Sequence, residues 1–314
     1  MKILRYLYIL FFLIIISCTN ENNKSTVSSP DGNINLFFEI QNGQLQYQIK
    51  KNNNQIVDVS KLGMILESGL NLGQDIELID FETDEFYEIW NPIFGELSEI
   101  KKKYKSLNIS LKKNNIKFQI IFRVYDDGVA FKYVIPNQDA IQNYNIIDEY
   151  SEFNLSSDDT AWWIPAFSYR RYEFLYAESK IDKISKKYFS ENIEDISYDT
   201  LGIDAAHTPL TIKKNNGYLI SIHEANLVNY SSMTLAPKGN GMLEVELYPW
   251  SDGITKVKLD NQIISPWRYI QIADNSSELL MSNIILNLND DPDPDEDYSW
   301  VKPGKYMGVW WEMI

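Results

Sequence analysis

A succession of short runs rich in β-branched and aromatic residues constrains this chain more than any other feature. The runs cover residues 34–40, 45–49, 55–59, 76–81, 107–111, 116–124, 129–134, 243–247 and 267–272. Turns such as Asn42-Gly43 and Asp127-Gly128 join several of them, and such turns are typical of β-hairpins. Only the charged stretch 173–188 has a helical pattern. The sequence therefore predicts an all-β fold, with one large antiparallel sandwich over residues 30–289 rather than two domains.

The N-terminus has the features of an export signal. Lys2 and Arg5 precede an apolar run over residues 6–16, which is shorter than the ~20 residues of a membrane-spanning helix. Residues 1–17 are therefore predicted to be a signal peptide. Ser17 comes directly before Cys18, the one cysteine of the chain. This junction resembles the bacterial lipobox, in which the cysteine is lipidated and becomes the new N-terminus.

Cys18 is accordingly predicted to carry lipid and to anchor the chain in the cell envelope, facing the periplasm or on the outer membrane. The Asn-rich residues 18–29 are expected to form a flexible tether. The alternative is a plain signal peptide with a chance cysteine. Because one thiol cannot form an internal disulfide, the fold must depend on its core alone.

The chain is strongly acidic. Its 314 residues include 29 Lys and Arg against 44 Asp and Glu, a formal net charge of −15. Removal of residues 1–17 takes away two cations, Lys2 and Arg5, and no acid, which moves the charge from −15 to −17. Nucleic acids and anionic lipid surfaces bind through basic patches and are poor partners for such a chain. Neutral ligands such as carbohydrates, and divalent cations, are compatible with it.

A predicted hairpin leads to a carboxylate in an apolar row. Residues 208–212 and 218–222 are short apolar runs joined by the polar turn 213–217. Because side chains alternate along a strand, Glu224 continues the row of Ile220 and Ile222. A carboxylate that ends a buried row must be hydrated, paired or bound to a cation, since burial of a bare charge costs several kcal/mol. The other alternative is a Glu224 that turns out to solvent at the strand end.

Seven short motifs occur in one order along the chain. They are VYDDGVAFKY at 124–133, EYSEF at 149–153, WWIPA at 162–166, AHTPL at 206–210, IHEA at 222–225, SPWRYI at 265–270 and KPGK at 302–305. Together they resemble glycoside hydrolase family 97, which contains calcium-dependent α-glucosidases and retaining α-galactosidases. In that family an N-terminal β-super-sandwich, similar to mutarotase-like sandwiches, packs on a (β/α)8 barrel. The resemblance implies such a super-sandwich for residues 30–289.

The resemblance also implies how the C-terminal part is organised. Residues 290–303, which begin with an acidic run interrupted by Pro, are expected to be a linker. Residues 304–314 look like the start of the barrel, at its first strand. A (β/α)8 barrel needs about 200 residues or more. The general acid and the base or nucleophile of the family lie on later barrel strands, so no catalytic residue is assigned here. We therefore expect a separately encoded catalytic barrel or a truncated product.

Three residues take roles from the resemblance. In the family, the glutamate of the His-Glu-Ala motif helps to coordinate the active-site calcium, together with glutamates of the barrel. Glu224 has that position, and Ca²⁺ prefers carboxylate oxygens. Calcium is thus expected as a cofactor of the complete assembly only. Trp310 and Trp311 match the first barrel strand and would line the sugar pocket, with packing inside the barrel as the alternative.

Other candidate metal sites have simpler explanations. The acidic run 290–297 lacks the Gly of an EF-hand loop and alternates with Pro, which favours a solvated linker. His207 and His223 are the two histidines of the chain. With no third histidine to complete a zinc site, hydrogen-bonded histidines are favoured over ligands.

Two residue pairs suggest sugar chemistry. The rings of Trp162 and Trp163 could stack on a sugar, but 13% of the chain is aromatic, which favours the sandwich core or a domain interface. Glu149 and Glu152 would act as a glycosidase pair only at the right separation. Acids are abundant in this chain, so ordinary acidic residues are the favoured interpretation.

Three functions agree with these features. The first is the N-terminal, calcium-contributing part of a family-97-like α-glycosidase that acts on an oligosaccharide or α-glycoside. The second is a lipid-anchored carbohydrate-binding protein that works without a barrel. The third, by analogy with the mutarotase-like fold, is an epimerase with His207 or His223 as acid and Glu224 as base. The ordered motifs favour the first.

The lipobox-like junction gives a testable prediction. Mass spectrometry of the mature protein should find a lipid-modified Cys18 at its N-terminus, and Cys18→Ser should release the protein from the membrane fraction. An unmodified Cys18, or membrane association that survives the substitution, would contradict the prediction.

Overall fold

The computed structural model describes residues 23–92, 95–167, 172–194, 196, 200–291, 293 and 295–308. These residues form twenty strands and three short α-helices. The strands are β1 (Lys24–Ser28), β2 (Ile34–Gln41), β3 (Gln44–Lys51), β4 (Asn54–Lys61), β5 (Met64–Leu66), β6 (Glu77–Trp90), β7 (Ile100–Lys113), β8 (Ile116–Tyr125), β9 (Gly128–Ile135), β10 (Ile146–Glu149), β11 (Glu152–Asn154), β12 (Thr160–Trp163), β13 (Ala177–Lys180), β14 (Ala206–His207), β15 (Leu210–Lys213), β16 (Leu219–Ala225), β17 (Met233–Gly239), β18 (Met242–Leu247), β19 (Ile263–Ile264) and β20 (Trp267–Ala273). The helices are α1 (Lys186–Asn192), α2 (Ser276–Met281) and α3 (Ile284–Leu288).

Two large antiparallel sheets make up most of the fold. One has eight strands in the order β1-β2-β3-β4-β11-β18-β17-β14. The larger one has the order β13-β12-β15-β16-β20-β9-β8-β7-β6, and β19 pairs with β9 beside this path. Strands β5 and β10 form a separate two-stranded ladder. The predicted all-β, large antiparallel super-sandwich is confirmed.

The main core lies between the two sheets. Alternation along the strands builds it: Leu36 and Phe38 of β2 are buried, while Phe37 between them is partly exposed. Aromatic rings from both sheets meet at its centre. The Phe131 ring of β9 lies 5.5 Å from the Tyr47 ring of β3 and 6.2 Å from the Phe153 ring of β11. Burial of these rings supplies much of the hydrophobic stabilisation that holds the sheets together.

A second, smaller core covers the outer face of the larger sheet. Trp267 and Tyr269 of β20 point away from the sandwich and pack in one cluster with Ile284 and Leu288 of α3. Because side chains alternate along β20, Arg268 points the opposite way, into the space between the sheets. Because α3 covers the outer face of the larger sheet, Trp267 and Tyr269 are buried there, and Arg268 is on the inner face.

The predicted strands are confirmed, but two of them are much longer than expected. Strands β6 and β7 have 14 residues each. Their charged residues hide the strand pattern in the sequence, because acids on β6 lie opposite lysines on β7, as Glu85 does opposite Lys105. Strand β6 lies at the edge of its sheet, where charged side chains remain in water.

Two predictions about the remaining segments are wrong. Helix α1 begins only at Lys186, after Ser185, whose side chain accepts the Tyr188 N–H, while Ala177–Lys180 in the predicted helix 173–188 form an edge strand. Strand β1 lies within the predicted tether 18–29 and pairs with β2 along its whole length. The sandwich therefore starts before Pro30.

The described residues from 290 to 308 form no helix or strand. Lys102 Nζ lies 3.4 Å from Asp291 Oδ2 and connects the beginning of this segment to the larger sheet. Within the described residues, none of the helices is both long and apolar enough to cross a membrane. The predicted signal peptide, residues 1–17, lies outside the described residues.

Candidate functional site

Glu224 lies inside a strand rather than beyond its end. Strands β15 and β16 form the predicted hairpin, with Leu210 opposite Ile222, and β16 continues to Ala225. Glu224 faces the same way as Ile222, into the sandwich, and only 7% of the residue is exposed. The alternative of a Glu224 that turns out to solvent is therefore wrong.

The partner of Glu224 is Arg268, directly opposite it on β20. Arg268 is fully buried, and its Nη1 donates to Glu224 Oε2 at 2.5 Å. On the other side, Arg268 Nε donates to Glu149 Oε1 at 2.9 Å and Nη2 donates to Glu149 Oε2 at 2.8 Å. This two-bond fork is a strong arrangement for an arginine and a carboxylate. We refer to Glu149, Glu224 and Arg268 as the Arg268 triad.

Neighbouring groups donate to the remaining carboxylate positions. The Met233 backbone N–H donates to Glu224 Oε1 at 3.0 Å. The Tyr230 hydroxyl donates to Glu149 Oε2 at 2.9 Å, and the Ser151 hydroxyl donates to Glu149 Oε1 at 3.1 Å. Each carboxylate oxygen thus accepts at least one hydrogen bond, as burial of a charge requires. The Arg268 triad connects β10, β16, β20 and the loop between β16 and β17.

The triad combines two negative groups with one positive group. Burial by itself lowers the pKa of the Arg268 guanidinium, but Glu149 and then Glu224 raise it above its ordinary value. Arg268 therefore stays charged. Burial and the Glu149 carboxylate raise the pKa of the Tyr230 phenol well above its usual value, so Tyr230 remains a donor. Because two acids share one guanidinium, either acid alone can neutralise it.

Calcium needs more ligands than the described residues provide around Glu224. Ca²⁺ takes six to eight oxygen ligands, and the described residues contain no group of three or more His, Cys, Asp or Glu placed to hold a metal. Both oxygens of Glu224 already accept hydrogen bonds, from Met233 and Arg268. These residues do not form a calcium site by themselves. The calcium role of Glu224 stays a prediction for the complete assembly.

Both histidines are hydrogen-bonded within the domain. His207 Nδ1 accepts the Thr208 backbone N–H at 2.9 Å, and His223 Nδ1 lies 3.0 Å from Thr208 Oγ1. Burial, His207 and Arg268 lower the pKa of His223 from 6.5 to about 4, so His223 is neutral at pH 7. Since the unfolded chain binds this proton more readily, His223 reduces stability as the pH falls from 6.5 towards 4. The arrangement fits hydrogen-bonded histidines.

The tandem tryptophans lie on opposite faces of β12. Trp163 is 1% exposed and its Nε1–H donates to Ser179 Oγ at 2.9 Å, so the core interpretation is right for Trp163. Trp162 is partly exposed and its Nε1–H donates to Glu178 Oε2 at 3.0 Å.

Glu149 and Glu152 do not act as a pair. Glu152 is buried, and its carboxylate accepts the Lys61 backbone N–H at 2.9 Å. Glu149 belongs to the Arg268 triad. Each acid thus has its own structural partner, as expected for ordinary acidic residues.

Sequence reasoning missed Arg268 and its pairing with Glu149. The sequence does contain a hint, because Arg268 lies within the apolar run 267–272. An arginine that is buried in such a strand needs acidic partners. Cys18, Trp310 and Trp311 lie outside the described residues. Their roles in lipidation and sugar binding stay predictions.

Known proteins resemble this chain in sequence and in structure. A family model described as Glycosyl-hydrolase 97 N-terminal matches residues 27–291. The chain is similar to a retaining alpha-galactosidase of Bacteroides thetaiotaomicron, at 26% identity over 335 residues, and to a probable retaining alpha-galactosidase of Streptomyces bingchenggensis, at 23% identity over 299 residues. A glycoside hydrolase family 97 enzyme of Pseudoalteromonas sp. strain K8, in complex with panose, superimposes with a TM-score of 0.81 at 33% identity.

These matches cover most of this chain but less than half of each relative. They cover 96% of the chain and 46% of the Bacteroides protein, and 92% of the chain and 42% of the Streptomyces protein. For the Pseudoalteromonas enzyme the shares are 92% and 41%. The chain thus spans about half the length of the curated relatives that it matches.

The geometry of the Arg268 triad predicts unequal costs for its two acids. Glu149 accepts two of the three bonds from Arg268, and each charge-assisted bond contributes about 1.5 kcal/mol. Glu149→Gln should therefore lower the free energy of unfolding by about 3 kcal/mol and Glu224→Gln by about 1.5 kcal/mol. Urea unfolding followed by tryptophan fluorescence measures both.

The matched control is Glu191→Gln. Glu191 lies on α1 with its side chain 62% exposed, beside Lys187, and loss of such a surface pair changes little. If Glu149→Gln is no more destabilising than Glu191→Gln, the triad does not hold the fold as described.

Proposed function

Because the chain belongs to the glycosyl-hydrolase 97 N-terminal family, we propose that it acts as the N-terminal sandwich domain of a family-97 α-glycosidase. The family match over the whole sandwich, residues 27–291, carries this proposal. The Bacteroides and Pseudoalteromonas relatives are about twice as long as this chain. We therefore assign hydrolysis to an assembly of this domain with a catalytic barrel.

The proposed substrate is a neutral oligosaccharide with an α-glycosidic bond. The Pseudoalteromonas enzyme has been solved in complex with panose and with acarbose, and the Bacteroides relative is a retaining alpha-galactosidase. The proposal covers both α-glucosides and α-galactosides. The net charge of −15 supports a neutral substrate, because it disfavours polyanionic ligands.

The proposed role of the Arg268 triad is to fix the loop that meets the barrel. The loop between β16 and β17 is held at one end by Asn226, whose Nδ2 donates to Asp290 Oδ2 at 2.8 Å, and at the other by the bond of Tyr230 to the triad. Between these anchors, Leu227 and Val228 are 45% and 60% exposed. Exposed apolar side chains on an anchored loop support a contact with a second domain.

Calcium is proposed as a cofactor of that assembly, with Glu224 as the ligand from this chain. The support is the IHEA motif and the position of Glu224 one residue from the end of β16, next to the anchored loop. Since one carboxylate binds Ca²⁺ only weakly, the other oxygens are proposed to come from the barrel. Export and lipid anchoring through Cys18 in the cell envelope are proposed from the lipobox-like junction.

The two alternative functions differ in their support. An epimerase would need a free acid and a free base, but the Glu224 carboxylate is bound by Arg268 and Met233, and His223 is bonded to Thr208. The arrangement therefore gives the epimerase no support. Carbohydrate binding by the sandwich itself is supported by an open cleft lined by Tyr230 and Trp250.

If the catalytic residues belong to the barrel and not to the sandwich, hydrolysis requires both domains. Hydrolysis depends on a positioned general acid and base, and both are proposed to lie on the catalytic barrel. This chain alone should therefore hydrolyse neither nitrophenyl α-glucoside nor nitrophenyl α-galactoside. A chimera in which residues 27–291 replace the sandwich of the Pseudoalteromonas enzyme should hydrolyse one of them. The rest of that enzyme, expressed without any sandwich, is the control. Turnover by the chain alone, or a folded chimera no more active than the control, would count against the proposal.

The calcium proposal predicts a stability response that depends on Glu224. Calcium should raise the melting temperature of the chimera by several degrees, since a ligand that binds only the folded assembly stabilises it by mass action. Differential scanning fluorimetry should show a smaller calcium-induced shift for Glu224→Gln, an unchanged shift for Glu191→Gln, and almost no shift for this chain alone. An equal shift for the wild type and Glu224→Gln would show that Glu224 is not a ligand.

A further inference from the structure

An open cleft lies beside the Arg268 triad, between the β16–β17 loop and the loop that joins β18 to β19. Its volume is about 850 Å³, within the range of small-molecule sites. Residues that line it include Tyr230, Ser232, Trp250, Lys258, Asp260 and Asn261. Tyr230 connects the cleft to the triad, because its hydroxyl donates to Glu149.

Trp250 presents an aromatic surface to this cleft from a tight turn. The Trp250 backbone N–H donates to the Thr255 carbonyl at 2.8 Å, and the Gly253 N–H donates to the Trp250 carbonyl at 2.8 Å. Lys258 Nζ lies over the indole, 4.6 Å from its centroid. Trp250 is nevertheless 52% exposed, so the ammonium leaves much of the ring open. A half-exposed aromatic ring on a hydrogen-bonded turn is suited to stack against a flat ligand.

Several polar side chains line the same cleft as the indole. In the part of the chain that the structure describes, the side chains of Asn229, Ser232, Asp260 and Asn261 make no hydrogen bond to another protein group. The hydroxyl and amide groups can both donate to and accept from a ligand, and the Asp260 carboxylate can accept. A ligand with many hydroxyl groups could satisfy several of them together.

The charges of the cleft favour a neutral ligand. Lys256 Nζ lies 2.7 Å from Glu246 Oε1, and Lys258 Nζ lies 3.7 Å from Asp252 Oδ2, so both lysines already have acidic partners. Asp260 adds a further negative charge. Among the described residues that line the cleft, both lysines are paired with acids, which disfavours an anion such as a phosphate. A neutral sugar would meet aromatic and polar groups.

We propose that this cleft binds carbohydrate, with Trp250 as the stacking surface and with Asp260 and Asn261 bonded to sugar hydroxyls. The site lies wholly within the described residues of the sandwich, so it binds without a catalytic barrel. The choice of α-linked sugars rests on the proposed function, whereas the cleft itself does not depend on it.

Isothermal titration of the full chain with maltotriose, an α-glucoside, and with raffinose, an α-galactoside, tests the proposal. One of them should bind saturably with a dissociation constant in the micromolar to low millimolar range. Trp250→Ala should weaken that binding about tenfold, by loss of the stacking surface. Asp260→Ala, which leaves the indole in place, should also weaken it. Circular dichroism checks that both variants remain folded.

Trp300→Ala is the matched control, because Trp300 is 76% exposed and does not line the cleft. Its binding should equal that of the wild type. No saturable binding of either sugar, or equal binding by wild type and Trp250→Ala, would overturn the proposal. Activity of the chimera together with no sugar binding by the chain would reject the cleft and leave the proposed function standing. Trp250-dependent sugar binding together with a folded but inactive chimera would support the cleft and reject the proposed function.

Discussion

The fully buried guanidinium of Arg268 is the constraint on which the site depends. A charge between two packed sheets must be neutralised and hydrogen-bonded there, because isolation in the core costs several kcal/mol. Glu149 and Glu224 meet that need, and Tyr230, Ser151 and Met233 donate to the acids in turn. The network therefore fixes strands β10, β16 and β20 and the end of the β16–β17 loop relative to one another. Through Tyr230 it also fixes one wall of the open cleft.

The sequence predicts the architecture well because the strands follow a simple rule. Alternating apolar residues, as in β2 and β16, give both the strand and the face that it buries. The rule fails where charge hides the alternation, as in the acid-rich β6, and where a charged edge strand such as β13 looks helical. Alternation places Glu224 correctly on the inner face of its strand. Burial there means that its carboxylate needs a partner.

The identity of that partner is harder to predict. The chain has 29 Lys and Arg, and strand pairing far along the sequence decides which one lies opposite Glu224. Trp267 and Tyr269 pack against α3 on the outer face of the sheet. Only this packing shows that Arg268, between them, faces inward. Glu149 comes from a different ladder, so no local pattern connects it to Arg268. Long-range topology, rather than residue preference, therefore determines the candidate site.

The central claim is that Glu149 and Glu224 share one guanidinium, so that either acid can keep Arg268 neutralised. A double-mutant cycle on unfolding free energy tests this directly. In the single variants Arg268 keeps one counter-ion, but in Glu149→Gln with Glu224→Gln it is left buried with none. The loss of stability in the double variant should exceed the sum of the single losses by at least about 1 kcal/mol. Losses that add within about 0.5 kcal/mol would show that the two acids act independently, and would contradict the account.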